Sequence, residues 1–117
     1  MNILYFLILL APCLASLEEA SLKINRSLPE NYDRVTRLRT TTVENNHLVF
    51  HFLLNAEKSE YQWALPKVKE QVLKTICSQS REGDVLKNRR GNIVYRYENL
   101  KGQSLGEFMV TPEHCKR

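Results

Sequence analysis

The stretch that decides the fold is IVYRYENLKGQSLGEFMVTPEHC, residues 93–115. Two runs rich in β-branched and aromatic residues flank turn residues around Gly102, and each run alternates its side chains at a period of two. Such alternation is typical of half-buried strands, so the stretch predicts a β-hairpin. Pro112 cannot donate a hydrogen bond to a sheet and therefore ends the second strand. A cysteine, Cys115, follows almost at once.

A second strand pair is predicted upstream. Residues 32–43 are rich in Thr and Val, Asn45 and Asn46 have turn chemistry, and residues 47–54 (HLVFHFLL) alternate again. The alternation assigns one set of side chains in the second of these strands to the core: Leu48, Phe50, Phe52 and Leu54.

The length of the loop between these two strands decides which residues of the first strand share the core face. A three-residue loop, residues 45–47, would place Thr42 beside Phe50 and turn Arg37 and Arg39 outward. A two-residue loop would reverse the faces and bury both arginines. Because burying unpaired charge is costly, the sequence favours the three-residue loop.

Residues 59–79 (SEYQWALPKVKEQVLKTICSQ) predict an amphipathic helix. Ser59 and Gln62 have the spacing of a capping box. Cys77 falls in the last turn, where it could meet a strand packed under the helix. The apolar side chains recur at helical spacing: Leu65, Val68, Val72, Leu73 and Ile76.

These elements predict the α+β class in a ββαββ order: two antiparallel β-hairpins form a four-stranded sheet, and one helix packs on it. The chain of 117 residues is long enough for one small domain. We expect a signal peptide over residues 1–15, an N-terminal arm over 16–30 and a single α+β domain over 31–117.

The expected signal peptide rests on residues 1–15 (MNILYFLILLAPCLA), which carry no charged side chain. The apolar run is too short to span a hydrocarbon core, and Cys13 and Ala15 have the small-x-small spacing of a cleavage site. The usual Lys or Arg before the run is missing. Two alternatives are an apolar first helix in the core and a lipoprotein acylated at Cys13, although Pro12 stands where a small residue is expected.

Cleavage after Ala15 would remove Cys13 and leave Cys77 and Cys115. An even number of cysteines in an oxidising compartment indicates a disulfide, which would close a loop of 39 residues counting both cysteines. The alternative is two free thiols, if the chain stays in the cytosol.

A set of short motifs stands in a fixed order along the chain: Leu28-Pro29, Thr36-Arg37-Leu38, Cys77, Tyr95-Arg96-Tyr97, Gly102, Gly106 and the Val-Thr-Pro-x-x-Cys motif over 110–115. These motifs resemble those of small exported bacterial proteins of unassigned function. That resemblance implies export, one domain and the disulfide, and it implies no activity. This chain departs from the pattern after Cys77, where relatives tend to carry Leu-Leu and this one has Val85-Leu86.

The candidate interaction residues are basic or aromatic. The net charge is +4, with 17 basic and 13 acidic residues mixed along the chain, so no polybasic tail is present. One candidate is the basic cluster in the connection after Cys77, which consists of Arg81, Lys87, Arg89 and Arg90. It is either a solvated loop or a surface that docks an acidic protein or anionic lipid. Export argues against nucleic acid as its partner. The other candidate is the aromatic pair Tyr61 and Trp63. These two side chains either form an interaction surface or pack into the core at the start of the helix.

No catalytic residue, metal site or cofactor is predicted. His47 and His51 would lie about 13 Å apart on one strand, too far to share a metal ion. His114 and Cys115 are neighbours on an extended chain and would point apart. The four glycines form no phosphate-binding loop.

The sequence therefore favours an exported bacterial protein, periplasmic or secreted, that acts by protein–protein interaction with an envelope or extracellular partner. The partner would meet a sheet edge or the basic connection. A membrane would be involved only through the signal segment or, alternatively, through lipidation at Cys13. The other class of function is a small secreted enzyme or toxin, whose best candidate residues are His51, His114 and Glu107.

Overall fold

The computed structural model describes residues 17–116, apart from the side chains of Gln62 and Trp63. The predictions for the signal peptide and for Cys13 lie outside the described residues. The elements in chain order are α1 (17–25), β1 (Glu30–Asn31), β2 (Thr36–Glu44), β3 (His47–Leu54), α2 (Lys58–Thr75), a 3-10 turn (Ile76–Ser78), α3 (Ser80–Gly83), a π-helical turn (Asp84–Asn88), β4 (Asn92–Asn99), β5 (Ser104–Val110) and a 3-10 turn (Pro112–Cys115).

The strands form one five-stranded sheet in the order β1-β2-β3-β4-β5. Both hairpins are antiparallel, whereas the central pair β3–β4 is parallel. The α+β class is confirmed, and the four-stranded ββαββ layout with a single helix is wrong. The two-residue β1 is too short to give a periodic signal, and the helical turns after α2 lie in a polar stretch.

The predicted register of the first hairpin is wrong. Asn45 and Asn46 have φ angles of 50° and 69° and form a two-residue turn, so Glu44 pairs with His47. Two consecutive left-handed residues match the twist of a tight hairpin, which is why Asn is favoured there. Thr41, and not Thr42, therefore lies opposite Phe50.

A β-bulge keeps the arginines out of the core despite the shorter loop. The pairing shifts between Leu38 and Thr40, so Arg39 is an extra residue in β2. An inserted residue shifts the alternation of side chains by one, so every side chain beyond it points to the other face of the sheet. Leu38 is fully buried while Arg37 and Arg39 stay exposed.

The core lies on the face of the sheet that the helices cover. The predicted core side chains of β3 are all buried, as expected. Neighbouring aromatic rings stack across the strands, with 4.9 Å between the centroids of Phe52 and Tyr97 and 5.0 Å between those of Tyr95 and Phe108. The opposite face carries ion pairs, including the two that join Arg96 to Glu44 and Glu107.

The helix α2 starts and ends slightly earlier than predicted. Its capping box is formed by Glu57 and Glu60 rather than by Ser59 and Gln62. It ends at Thr75, and Cys77 lies in the 3-10 turn that follows. The predicted disulfide is confirmed: Cys77 is bonded to Cys115, with 5.5 Å between their Cα atoms.

Candidate functional site

A groove separates α1 from the chain between residues 77 and 89. Its volume is about 650 Å³. We call it the α1 groove. Ala20, Ile24 and Val85 form an apolar floor, which is at most 5% exposed. The charged residues around it are Lys23, Arg81, Asp84, Lys87 and Arg89.

One wall of the groove exists because residues 17–25 fold as an amphipathic helix. The buried positions Leu17, Ala20, Ser21 and Ile24 recur at helical spacing and lie against the core. Leu17 of α1 can approach the backbone closely at Gly91 because glycine has no side chain. A Cβ atom there would come within 2.5 Å of Leu17 Cδ2. The structure therefore has a helix over residues 17–25, where the sequence analysis expected an N-terminal arm.

The end of α1 is fixed to the edge of the sheet by the side chains of Asn25 and Ser21. The backbone N–H of Thr41 donates to Asn25 Oδ1 at 2.8 Å, and Asn25 Nδ2 donates to the Thr41 carbonyl at 3.0 Å. Ser21 donates to the same carbonyl at 3.1 Å. These bonds satisfy the free edge of β2 as a neighbouring strand would, so α1 also covers that edge.

Ion pairs organise the far wall of the groove. Arg89 donates to Asp84 at 2.8 Å and to Glu19 at 3.0 Å, which joins this wall to α1. The hydrogen bonds from Arg89 and Asn88 lower the pKa of Asp84, and the charge of Lys23 acts in the same direction. Lys23 and Asp84 both line the groove.

Two lysines carry the excess charge of the groove. Within the described residues Lys23 and Lys87 form no ion pair, and both are exposed. Arg81 and Arg89 have carboxylate partners inside the fold. The lysines are thus the charges that remain available at this surface.

Arg81 lies between the α1 groove and a second cavity. It donates to the Tyr32 hydroxyl at 2.9 Å and to Glu82 at 3.2 Å, and its guanidinium carbon lies 5.8 Å from the centre of the Phe50 ring. Its buried Nε has no hydrogen-bond partner in the described part of the chain. Arg81 is therefore a structural part of the wall that separates the two cavities.

The second cavity has a volume of about 760 Å³ and lies between β1 and the end of α2. Tyr32 and Tyr95 line it together with Glu30, Arg81 and Glu82. Burial is the main cause that raises the pKa of Tyr32 to about 12 and that of Tyr95 further. The two carboxylates outnumber the single guanidinium, so this cavity lacks the positive excess of the α1 groove.

The structure brings together three of the six predicted interaction residues. Arg81, Lys87 and Arg89 all line the α1 groove. Arg90 lies away from it, in a smaller cavity beside the disulfide that Lys87 also lines. Tyr61 packs in the core 5.4 Å from the Tyr97 ring, and burial raises its pKa to about 12.

The remaining predicted residue is Trp63, whose side chain lies outside the description. Sequence reasoning missed the α1 wall, including Lys23. The recurrence of Leu17, Ala20, Ser21 and Ile24 at helical spacing could have indicated it.

The residues of the enzyme alternative do not converge. His51 Nε2 lies 2.7 Å from the Thr42 hydroxyl on the sheet face opposite the core, and Glu107 pairs with Arg96 on that face. His114 lies in the C-terminal turn, bonded to Thr111. Neither of the two large cavities is lined by any of the three. Among residues 17–116 no group of three or more His, Cys, Asp and Glu side chains could hold a metal ion.

Three solved structures share this fold. A candidate secreted protein from Pseudomonas aeruginosa has a TM-score of 0.74 at 19% identity, over 86% of this chain and 90% of that one. The pilotin EpsS of the Vibrio vulnificus type 2 secretion system has a TM-score of 0.63 at 17% identity, over 87% and 94%. The type II secretion pilotin AspS from Vibrio cholerae has 0.62 at 17%, over 91% and 98%. What they share with this chain is the fold.

No protein-family model and no curated protein matches the chain. In the described part, none of the helices has the length and apolar character needed to cross a membrane.

Proposed function

We propose that this chain is a small exported bacterial protein that binds a protein partner in the α1 groove. The observation that carries the proposal is the meeting of Arg81, Lys87 and Arg89 with Lys23 at one concave surface. Basic side chains gathered in a cleft attract and orient a charged partner. A volume of about 650 Å³ leaves room for several partner side chains.

Export has three supports. Residues 1–15 have the pattern of a signal peptide. The Cys77–Cys115 disulfide is a bond that persists in oxidising compartments. Two structural neighbours belong to type II secretion systems and a third is a candidate secreted protein. We place the protein in the periplasm or the medium, with membrane contact limited to residues 1–15 or to a lipid on Cys13.

The role we propose is accessory and not catalytic. Pilotins are components of a secretion apparatus, so a chain of this fold can serve another envelope protein by binding to it. The sheet edges are less suited to that task, because Asn25 and β1 cover the β2 edge and Gly106, with φ at 119°, distorts β5. The enzyme or toxin alternative has no observation in its favour.

Intact mass tests export and the bond together. A soluble product that starts at Ser16 and gains about 2 Da on reduction is expected, since reducing one disulfide adds two hydrogens. An uncleaved chain with three free thiols would contradict export.

Partner capture tests the groove. Tagged protein should co-purify with one envelope protein, and the double substitution Lys23→Glu/Lys87→Glu should abolish that capture. The matched control is Lys67→Glu/Lys69→Glu, which makes the same change of charge at exposed positions of α2 outside the groove. Equal loss in both variants would contradict a groove-specific interaction.

A further inference from the structure

We propose that the segment which occupies the α1 groove is acidic, with Asp or Glu side chains that meet Lys23 and Lys87. This inference rests on the proposed function and names the chemistry of the partner. Two lysines without an ion pair flank the groove, whereas its arginines already have carboxylate partners. An occupant with carboxylates would supply the partners that these lysines lack.

The floor of the groove adds little to recognition. Ala20, Ile24 and Val85 are 4%, 5% and 1% exposed, so an occupant would remove little apolar surface from water there. Recognition therefore falls to the rim. Its other exposed members include Gln79, Ser80 and Asn88, whose side chains have N–H or O–H groups that can donate to carboxylates. The hydroxyls of Ser27 and Ser78 already donate to the carbonyls of Ile24 and Thr75.

The occupant is a protein segment rather than a lipid surface because the charges surround a concavity. A flat layer of headgroups would reach the exposed lysines but could not follow the concave surface between α1 and residues 77–89. A second copy of this chain is a poor occupant, because its net charge is also positive, at +4.

A random 12-residue peptide library displayed on phage provides the test, with the purified oxidised protein as the target. We expect selected peptides to be enriched in Asp and Glu and to bind more weakly as salt rises. In fluorescence anisotropy, Lys23→Glu/Lys87→Glu should weaken binding at least roughly tenfold, since rim charges govern encounter. The control Lys67→Glu/Lys69→Glu should bind like the parent, and near-ultraviolet circular dichroism verifies that both variants fold.

Three results would overturn the inference: no selected peptide, selection of neutral or basic peptides, or equal weakening by the two double substitutions. Phosphatidylglycerol vesicles are tested in parallel, and tight binding to them with the same lysine dependence would favour lipid instead.

Blocking the groove separates this inference from the proposed function. Ser27→Trp introduces a bulky side chain at an exposed position of its lining. If neutral or basic peptides are selected and Ser27→Trp abolishes their binding, the groove remains a protein-binding site and only its acidic preference is refuted. If Ser27→Trp leaves binding unchanged, the site itself is refuted.

Discussion

At the scale of single residues, Asn25 connects α1 to the sheet. Its amide accepts from the N–H and hydroxyl of Thr41 and donates to the carbonyl of Thr41, at 2.8 to 3.0 Å. Buried polar groups that lose such partners cost more free energy than the bonds themselves contribute. Asn25 therefore contributes to holding the wall of the α1 groove against the sheet.

Asn25→Ala should lower the free energy of unfolding by about 1–3 kcal/mol, because the N–H of Thr41 loses its acceptor. Chemical denaturation measures the change. Asn55→Ala, at an exposed asparagine, is the control and should be nearly neutral. Equal, small effects of both substitutions would refute the role of Asn25.

His51 makes stability sensitive to pH. Burial is the main cause that lowers its pKa below the usual 6.5, and the charge of Arg96 adds to the effect, while Glu44 opposes it. The unfolded chain therefore binds the proton more readily than the folded one. The contribution of neutral His51 to the free energy of unfolding is therefore fully present above pH 6.5. It is lost as the pH falls toward the pKa that His51 has in the folded state.

Denaturation of the parent and of His51→Gln between about pH 7.5 and 5 tests this dependence. The free energy of unfolding should decrease with falling pH in the parent and decrease less in the variant. Parallel curves would show that His51 does not cause the decrease.

At the scale of elements, patterns within one strand or helix were predictable and contacts between elements were not. The alternation in β3 identified its core face, and the cysteines at 77 and 115 indicated their bond. The hairpin register was missed because the bulge at Arg39 restores the side-chain faces that a two-residue turn alone would reverse. Nothing in the local pattern marks that extra residue.

The disulfide connects the end of α2 to the turn after β5, on the side of the fold where the α1 groove lies. Cys77→Ser/Cys115→Ser should lower the free energy of unfolding by roughly 4 kcal/mol, because the unfolded chain loses the constraint of a long loop. Urea denaturation measures this loss, and reduction of the parent should reproduce it. An unchanged midpoint would contradict the structural role of the bond.

Gly91, the residue before β4, is where the chain packs against Leu17 of α1. Gly91→Ala should destabilise the fold by about 1–3 kcal/mol, because the added methyl collides with Leu17. Combining it with Leu17→Ala makes room, so the double substitution should cost less than the sum of the two single ones. Simple additivity in denaturation experiments would indicate that α1 does not pack at Gly91.

At the scale of the whole molecule, the order of the strands could not be read from the sequence. The parallel pairing of β3 with β4 requires a crossover through α2 and the turns after it, and each hairpin looks complete in isolation. The candidate site, like the strand order, could not be read from the sequence. Its basic residues after Cys77 were identified by composition, but their partner wall comes from α1, some 60 residues earlier in the chain.

Photo-crosslinking in the native cell would show whether the α1 groove contacts a protein partner after export. A photoreactive amino acid is placed at Asn88, on the rim of the groove, or at Lys69, exposed on α2 outside it. We expect a light-dependent adduct with one envelope or extracellular protein from position 88 alone, and we expect Lys23→Glu/Lys87→Glu to abolish it. An adduct from position 69 alone, or none from position 88, would rule out the groove as the binding site.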